Sequence, residues 1–254
     1  MNSYFKYKFG DDINFEVSKG EFITVIGNNN DLLIHTLLHG HKFVEYSIDE
    51  TIFSKNNIDF IRKNMGVVLY KHLNIFVGEN VGDEIVFGLE SLAMKKDDIR
   101  TLLDTYSKRF KLEHLLDKDP NSLGSSDKTK LKILSYLIMK PGIIVIDNLL
   151  CELDASDKEL VINLLKEYVS DGGIVINFTN DIEETLFGEK IIIIYDKKLV
   201  CEGKTLSVLN EEKLLKRLHL GIPFIVELNK YLMDYQMINK YYMTNEKLVN
   251  ALWK

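Results

Sequence analysis

The chain has 254 residues, 46% of them hydrophobic, which is enough for one large α/β domain with a helical insertion and a tail. A formal net charge of −6, and the lack of basic blocks interleaved with aromatic residues, argue against a nucleic-acid partner. Two cysteines are too few for a disulfide framework, and no apolar run is long enough to span a bilayer, so we expect a cytoplasmic protein without direct membrane insertion.

The first part of the chain, residues 1–30, alternates as antiparallel strands do and ends in a buried strand. That strand, Phe22–Gly27, is a short apolar run that stops at a glycine. A helical run follows at 32–38. A buried strand, a glycine turn and a helix in this order are typical of a phosphate-binding loop.

The turn itself lacks the residues that hold phosphate. A Walker A loop needs the pattern G-x-x-x-x-G-K-[ST], whose backbone N–H groups and lysine surround the phosphates. The chain instead reads Gly27, Asn28, Asn29, Asn30, Asp31, with no second glycine, no Lys-Ser/Thr pair and too few residues. The sequence therefore predicts either a residual phosphate contact here or a polar strand-to-helix turn.

A mostly helical insertion is predicted for about residues 72–135. Asp97 and Asp98 begin one helix. The spacing of Leu112, Leu115 and Leu116 predicts a second helix, and Pro120 then breaks the chain. An apolar helix over 130–139 ends before a Pro-Gly pair.

Strands rich in Ile and Val alternate with helices in the second half of the chain. They are Ile143–Asp147, 173–179 and Lys190–Tyr195. This pattern predicts a parallel sheet covered on both faces. From about residue 208 onward the chain is helical and amphipathic, so we divide it into a domain at 1–207 and a C-terminal helical extension at 208–254, where Trp253 is expected to anchor the last helix.

Four segments, in order, resemble one known family. They are 66–70 with 76–88 (the Q-loop region and its continuation), 120–128 (the signature), 143–147 with Leu153 and Asp154 (Walker B and the D-loop), and 221–224 with 244–252 (the C-terminal extension). Together they resemble the ATPase subunits of energy-coupling-factor vitamin and metal transporters, which are ATP-binding cassette (ABC) proteins. The resemblance implies a P-loop NTPase-like fold with a mostly parallel core sheet, an N-terminal antiparallel β-subdomain, a helical insertion and a C-terminal helical extension that dimerises.

The resemblance also assigns roles that several residues of this chain do not suit. Asp147 stands at the Walker B position and would contact Mg²⁺. The general-base position is Asn148, the switch-histidine position is Asn180 and the Q-loop glutamine position is Tyr70. An amide cannot accept a proton from water, so these replacements predict that intrinsic ATP hydrolysis is lost.

The signature and D-loop positions are assigned by the same resemblance. The signature loop comprises Leu123, Gly124, Ser125, Ser126 and Asp127, with glycine where a serine hydroxyl reaches the partner's γ-phosphate. Leu153 and Asp154 form the D-loop. Tyr7 stacks on an adenine if it follows the family, or else packs in the core. ATP and Mg²⁺ are the implied cofactors, with Tyr7, Asp147 and residues 27–31 as the candidate contacts.

Cassette subunits pair head to tail, so the resemblance implies a homologous active subunit, or a second copy, as partner. It further implies a transmembrane coupling protein that docks on residues 76–90 and the first helices of the insertion, and that holds the chain at the cytoplasmic face of the membrane. The hypothesis is a degenerate, pseudo-ATPase subunit of an energy-coupling-factor importer. Three alternatives stay open: a divergent active ATPase that uses Lys19, Lys42 or Lys71, a non-transport interaction protein, and a nucleotide sensor.

Overall fold

A computed structural model describes residues 4–70 and 76–253 of the chain. The first half contains strands β1 (Phe5–Phe9), β2 (Ile13–Val17), β3 (Phe22–Gly27), β4 (Val44–Ile48), β5 (Thr51–Ile52) and β6 (Met65–Leu69). Its helices are α1 (Asn30–His39), α2 (Ile58–Asn64), α3 (Val81–Ser91) and α4 (Lys96–Arg109).

The second half contains strands β7 (Ile143–Asp147), β8 (Ile174–Thr179), β9 (Lys190–Tyr195) and β10 (Lys198–Lys204). Its helices are α5 (Ser125–Leu137), α6 (Ala155–Ser170), α7 (Thr205–Leu209), α8 (Glu212–Arg217), α9 (Phe224–Asp234) and α10 (Asn245–Leu252). Short 3₁₀ turns lie at Lys55–Asn57, Glu113–Leu115, Pro120–Ser122, Leu150–Glu152 and Ile182–Leu186.

Two sheets organise these elements. The core sheet has the order β10-β9-β3-β8-β7-β6, and only β10 runs antiparallel to its neighbour. The smaller sheet, β2-β1-β4-β5, is antiparallel throughout. The predicted fold class is therefore confirmed, and the carboxyl ends of β3, β7 and β8 lie side by side at one edge of the core sheet, where open α/β sheets bind their ligands.

Both faces of the core sheet are covered by apolar side chains. Strand residues Ile23 and Val25 point into a core shared with the small sheet, while Phe22 and Val175 point into a core shared with α3, α5 and α6. Burial on both faces explains why β7, β8 and β9 are almost continuously Ile, Val and Phe.

The C-terminal helices pack against the core sheet. Ile26 and Ile193 share one apolar cluster with Leu215, Ile225 and Leu248 of α8, α9 and α10. Within this region Asn229 is fully buried, and its side-chain amide bonds both the carbonyl oxygen and the N–H of Tyr242, which fixes the loop before α10.

Two sequence predictions are wrong in detail. The helix expected at Leu112, Leu115 and Leu116 is only a 3₁₀ turn, because Lys111 adopts a left-handed conformation (φ 55°) and Pro120 follows closely. Trp253, expected to anchor the last helix, is 86% exposed.

Candidate functional site

The root of the candidate phosphate loop is fixed by Gly27, the last residue of β3. Its φ is 148°, and a Cβ added there would lie 1.7 Å from the carbonyl oxygen of Ile194 in the neighbouring strand β9. The next N–H, that of Asn28, donates to the same oxygen at 3.3 Å. Only glycine fits this position, so the close approach of β3 and β9 determines how the loop leaves the sheet.

The following asparagines are bonded to the turn between β9 and β10. The Asn28 amide donates to the Asp196 carboxylate at 3.0 Å and accepts from the Asp196 N–H at 2.9 Å. The Asn29 side chain accepts from the Lys197 N–H at 2.6 Å. We call this set of three hydrogen bonds the asparagine clasp. It supports the interpretation of residues 27–31 as a polar strand-to-helix turn.

Asn30 and Asp31 begin α1. The Asn30 side chain is buried and donates from Nδ2 to the carbonyl oxygen of Thr179 at the end of β8, at 3.0 Å. Its Oδ1 has no hydrogen-bond partner among the residues that the structure describes. Asp31 is an exposed acidic residue in the first turn of the helix. Asn30 therefore connects α1 to the strand that leads to the switch position.

The Walker B and switch positions meet at the carboxyl ends of β7 and β8. Asp147 ends β7 and is half-buried. Asn148 follows in a left-handed conformation (φ 47°), which asparagine tolerates better than most residues. Its N–H donates to the carbonyl oxygen of Phe178 at 2.7 Å. The Asn148 side-chain oxygen accepts from the Asn180 N–H at 3.3 Å, so the general-base and switch positions contact each other.

Tyr70 follows the neighbouring strand β6 and is 40% exposed. The rest of the predicted Q-loop, residues 71–75, lies outside the described residues.

The signature segment begins α5 and is held by buried charges. Leu123 is buried, while Gly124, the N-cap of α5, and Ser125 are exposed. The ammonium of Lys130, a residue only 4% exposed, lies 2.9 Å from Asp127 of the same helix and 3.0 Å from Asp157 of α6. Burial alone would lower the pKa of Lys130, but the bonds and attraction of the two carboxylates outweigh it and raise the pKa above its usual value.

The D-loop is joined to the same charges. Ser126 donates to the Asp157 carboxylate at 2.6 Å. Asp154 caps α6, accepting from the Asp157 N–H at 2.9 Å. That hydrogen bond, with the Ser156 hydroxyl, lowers the pKa of the Asp154 carboxyl. Leu153 is buried. We call Ser126, Asp127, Lys130 and Asp157 the signature network, since it fixes α5 against α6.

Comparison with known proteins decides the family. The energy-coupling factor transporter ATP-binding protein EcfA1 of Mycoplasmopsis synoviae is 30% identical over 244 residues, which cover 91% of each chain. The chain belongs to the energy-coupling factor transporter ATP-binding proteins, which are ABC ATPases. No family model matches the chain.

Solved structures share the fold of this family member. CbiO1 of Clostridium perfringens, part of the ABC transporter complex cbiONQ, gives a TM-score of 0.73 at 22% identity and covers 91% of this chain and 100% of its own. A dimeric ATP-binding cassette in a post-hydrolysis state with ADP and Pi gives 0.68 at 22% identity, covering 79% of this chain and 98% of its own. These likenesses agree with the two-sheet architecture described above.

One predicted contact is contradicted by burial. Tyr7 is only 1% exposed, its hydroxyl lies 2.6 Å from Oγ1 of Thr36, and its ring stacks on Phe15 with a centroid distance of 5.2 Å. Burial raises the pKa of Tyr7 to about 12, although the bond to Thr36 works in the opposite direction. The ring has no face open to an adenine, so the prediction of a nucleotide contact is wrong and the packing alternative fits.

The lysines considered as substitutes for the Walker lysine lie elsewhere. Lys19 precedes β3 at the amino end of the core sheet, with its ammonium 4.4 Å from the centre of the Tyr4 ring. The ammonium of Lys42 lies 4.7 Å from the centre of the Phe43 ring. Lys71 is outside the described residues. Lys19 cannot reach a phosphate at Gly27, which stands at the opposite end of the same strand.

Within residues 4–70 and 76–253, no helix is both long and apolar enough to cross a membrane. Within the same ranges, no group of three or more His, Cys, Asp or Glu side chains is placed to hold a metal ion.

The asparagine clasp and the signature network were missed by the sequence analysis. Lys130 could not be singled out, because Lys128 and Lys132 flank it in the same helix and its partner Asp157 lies on another helix. The clasp joins residues 168 positions apart, and the turn at Asp196 carries no glycine that would mark it.

Proposed function

We propose that this chain is the catalytically impaired nucleotide-binding subunit of an energy-coupling-factor-type importer. It pairs head to tail with a homologous subunit that keeps its hydrolytic residues. It docks on a transmembrane coupling protein at the cytoplasmic face of the membrane and transmits opening and closing of the pair to that protein.

The observation that carries the proposal is the contact between Asn148 and Asn180. The family resemblance assigns these positions to the general base and to the histidine that senses the γ-phosphate. Here two asparagines occupy them, and the amide oxygen of one accepts the backbone N–H of the other at 3.3 Å. An amide cannot take a proton from the attacking water, and loss of a general base typically costs about 10²–10⁴ in rate.

The loop offers ATP few of the groups that the family uses. It has no lysine, and one charge-assisted hydrogen bond contributes about 1.5–3 kcal/mol, so this loss alone weakens nucleotide binding by about one to two decades. The Asn28 N–H and the side chains of Asn28 and Asn29 are engaged within the protein. Asp147 supplies the one carboxylate that would contact Mg²⁺. We therefore expect weak or absent Mg-ATP binding at this chain's own loop.

The surfaces outside the loop are suited to partners. Gly124 and Ser125 are exposed at the amino end of α5, where the resemblance places the contact with a partner's nucleotide. Phe87 of α3 is 51% exposed, and Val77, which lies before the start of α3, is 61% exposed. The Glu84 carboxylate accepts the N–H of Val77 and so fixes the segment that presents them. We assign this surface to the transmembrane coupling protein.

The C-terminal extension, residues 208–254, is proposed as the dimerisation element. Its exposed aromatic residues include Tyr231, Tyr235 and Trp253, which are 54%, 78% and 86% exposed. Aromatic residues of this kind are enriched in the central parts of protein interfaces.

ATP turnover of the purified chain, of a homologous intact subunit and of the co-purified pair tests the proposal. We expect no turnover by the chain alone beyond that of its Asp147→Ala variant, and clear turnover by the pair. Turnover by the isolated chain that Asp147→Ala abolishes would contradict the proposal. Failure of the two chains to co-purify would also contradict it.

A gain-of-function variant sharpens this test. Gly124→Ser restores the hydroxyl that would reach the partner's γ-phosphate, and a Cβ at Gly124 meets no atom within 4 Å. Because the serine hydroxyl adds one charge-assisted hydrogen bond to the γ-phosphate, we expect turnover of the pair to rise about tenfold or more. Gly203→Ser, in β10 and outside the proposed dimerisation element, is the matched control, since its Cβ meets only an ordinary contact with Val208, at 3.4 Å, and should leave the rate unchanged.

A further inference from the structure

A cavity lies at the amino ends of the core strands, opposite the site described above. Its volume is about 330 Å³, which falls at the lower end of the roughly 300–1,000 Å³ of small-molecule sites. Pro141 and Gly142 line it just before β7, and Gly172 and Gly173 line it just before β8. These strands have five and six residues, which separates the cavity from Asp147 by about 15–20 Å.

Tyrosine rings form fixed walls of this cavity. The Tyr168 hydroxyl donates to the carbonyl oxygen of Pro141, and burial raises the pKa of that hydroxyl. A Cβ at Gly173 would lie 2.3 Å from the Tyr168 ring, and one at Gly142 would lie 2.7 Å from the Tyr4 hydroxyl. The two glycines therefore let the rings lie directly against the turns, and the walls are built before any ligand arrives.

The rim of the cavity carries two cations that have no carboxylate partner among residues 4–70 and 76–253. They are Lys19, stacked over the Tyr4 ring, and Lys140, which follows α5. A third cation, Arg109, is paired with Glu167. The remaining carboxylate of the lining, Asp171, is exposed and forms no ion pair with any described residue.

The ends of the surrounding helices offset these charges only in part. Cations near a helix carboxyl end complement its dipole, which explains Arg109 at the end of α4 and Lys140 after α5. Lys19 lies in the turn between β2 and β3, next to Gly20, where an added Cβ would lie 3.6 Å from the carbonyl oxygen of Val169 in the last turn of α6. A helix end carries only about half a charge, so Lys19 and Lys140 each keep part of their positive charge for an anion in the cavity.

We infer that this cavity binds a small anion with a planar ring, of the chemical class of nucleoside monophosphates. The anionic group would contact the ammonium groups of Lys19 and Lys140. The ring would lie against the tyrosine wall, and Asp171 would accept hydrogen bonds from a hydroxyl or exocyclic amine. The inference does not depend on the proposed transporter function, because none of these residues belongs to the cassette site.

Calorimetric titration of the intact chain with AMP tests the inference, with adenosine and inorganic phosphate as separate arms. We expect saturable AMP binding in the millimolar range or tighter, with each of the other two probes at least about tenfold weaker, because each lacks half of the recognised chemistry. Absence of AMP binding, or equal binding of adenosine, would overturn the inference.

Variants at the rim locate the binding. Lys19→Met combined with Lys140→Met should weaken AMP binding about tenfold or more, whereas the pair Lys19→Arg and Lys140→Arg keeps both charges and should retain it. The matched control is Lys95→Met with Lys96→Met, two exposed lysines at the start of α4. Binding that survives the first pair, or that Asp147→Ala abolishes, would place AMP elsewhere and refute the assignment.

Discussion

Two segments that begin helices, α1 and α5, are held in different ways. The turn after β3 is held by the asparagine clasp, whose hydrogen bonds connect exposed residues to the β9–β10 turn. The segment that begins α5 is held by the signature network, in which the nearly buried Lys130 bridges two carboxylates. The turn after β3 depends on surface hydrogen bonds, and the start of α5 depends on charges that are buried away from water.

The difference teaches where each segment tolerates change. Exposed hydrogen bonds exchange readily with water and contribute little net stability, so the clasp shapes the loop without determining the fold. A buried cation between two carboxylates is strongly destabilising when broken, because the remaining charges stay buried. The segment that begins α5, which we propose contacts a partner's nucleotide, is therefore rigidly supported. The turn after β3 is supported only by exposed hydrogen bonds.

The largest expected effect comes from the root of the loop. Gly27→Ala should cost about 4 kcal/mol or more, or prevent folding, because the new Cβ would lie 1.7 Å from the Ile194 carbonyl oxygen. Gly124→Ala is the matched substitution at the other segment, where the Cβ meets nothing within 4 Å, and should cost no more than about 1 kcal/mol. Urea unfolding of both variants measures this, and equal losses would refute the contrast.

The next effect concerns the centre of the signature network. Lys130→Met should lower the free energy of unfolding by about 3 kcal/mol, since it leaves Asp127 and Asp157 facing each other without a cation. Lys166→Met, an exposed lysine of α6, is the control and should change stability by less than about 0.5 kcal/mol. If the two variants unfold at the same urea concentration, the network contributes nothing to stability.

The pH dependence of the same variant has a definite sign. The pKa of Lys130 is raised in the folded state, so its contribution is fully present below the unfolded value of about 10.5 and is lost as pH rises through the higher folded value. The stability gap between the wild type and Lys130→Met should therefore be constant near neutral pH and shrink above about pH 10.5. A gap that already shrinks between pH 7 and 9 would contradict the assigned direction.

A smaller effect is expected for the asparagine clasp. In a double-mutant cycle of Asn28→Ala and Asp196→Ala, the coupling energy should be about 0.5–1 kcal/mol, because the bonds are reciprocal but exposed. Pairing Asp196→Ala with Asn163→Ala, an exposed asparagine of α6, provides a cycle in which no coupling is expected. Coupling as large as that of buried groups would mean that the two segments are held alike.

The sequence predicted regular elements well where burial leaves a strong pattern. The strands at Ile143–Asp147 and Lys190–Tyr195 match the structure residue for residue, because both faces of the sheet are covered and the runs are uniformly apolar. The short β4 and β5 were missed, since only alternate residues of β4 are fully buried. The helix predicted near Leu112 failed because leucines three apart suit a 3₁₀ turn as well as an α-helix.

The candidate site was predictable only as a set of positions. The resemblance assigned Asn148 and Asn180 to the general-base and switch positions, and the structure brings these two residues into contact. The partners of Asn28 and Lys130 were not predictable, because they come from distant segments that only the folded chain brings close. Sequence alone thus indicated which residues stand at these positions, while the structure shows which partners they contact.

The smallest effect concerns the turn to which the clasp is bonded. Asp196 and Lys197 both adopt left-handed conformations, with φ of 50° and 61°, as the central residues of a two-residue hairpin do. Lys197→Gly removes the cost of that conformation and keeps the backbone N–H that Asn29 accepts, so we expect a gain of about 0.5 kcal/mol. Lys198→Gly, in the adjoining strand, should instead lose a similar amount. Thermal unfolding of the two variants measures whether stability rises or falls at each position. A loss of stability at both positions would mean that the turn is not strained and that the clasp has no conformational cost to offset.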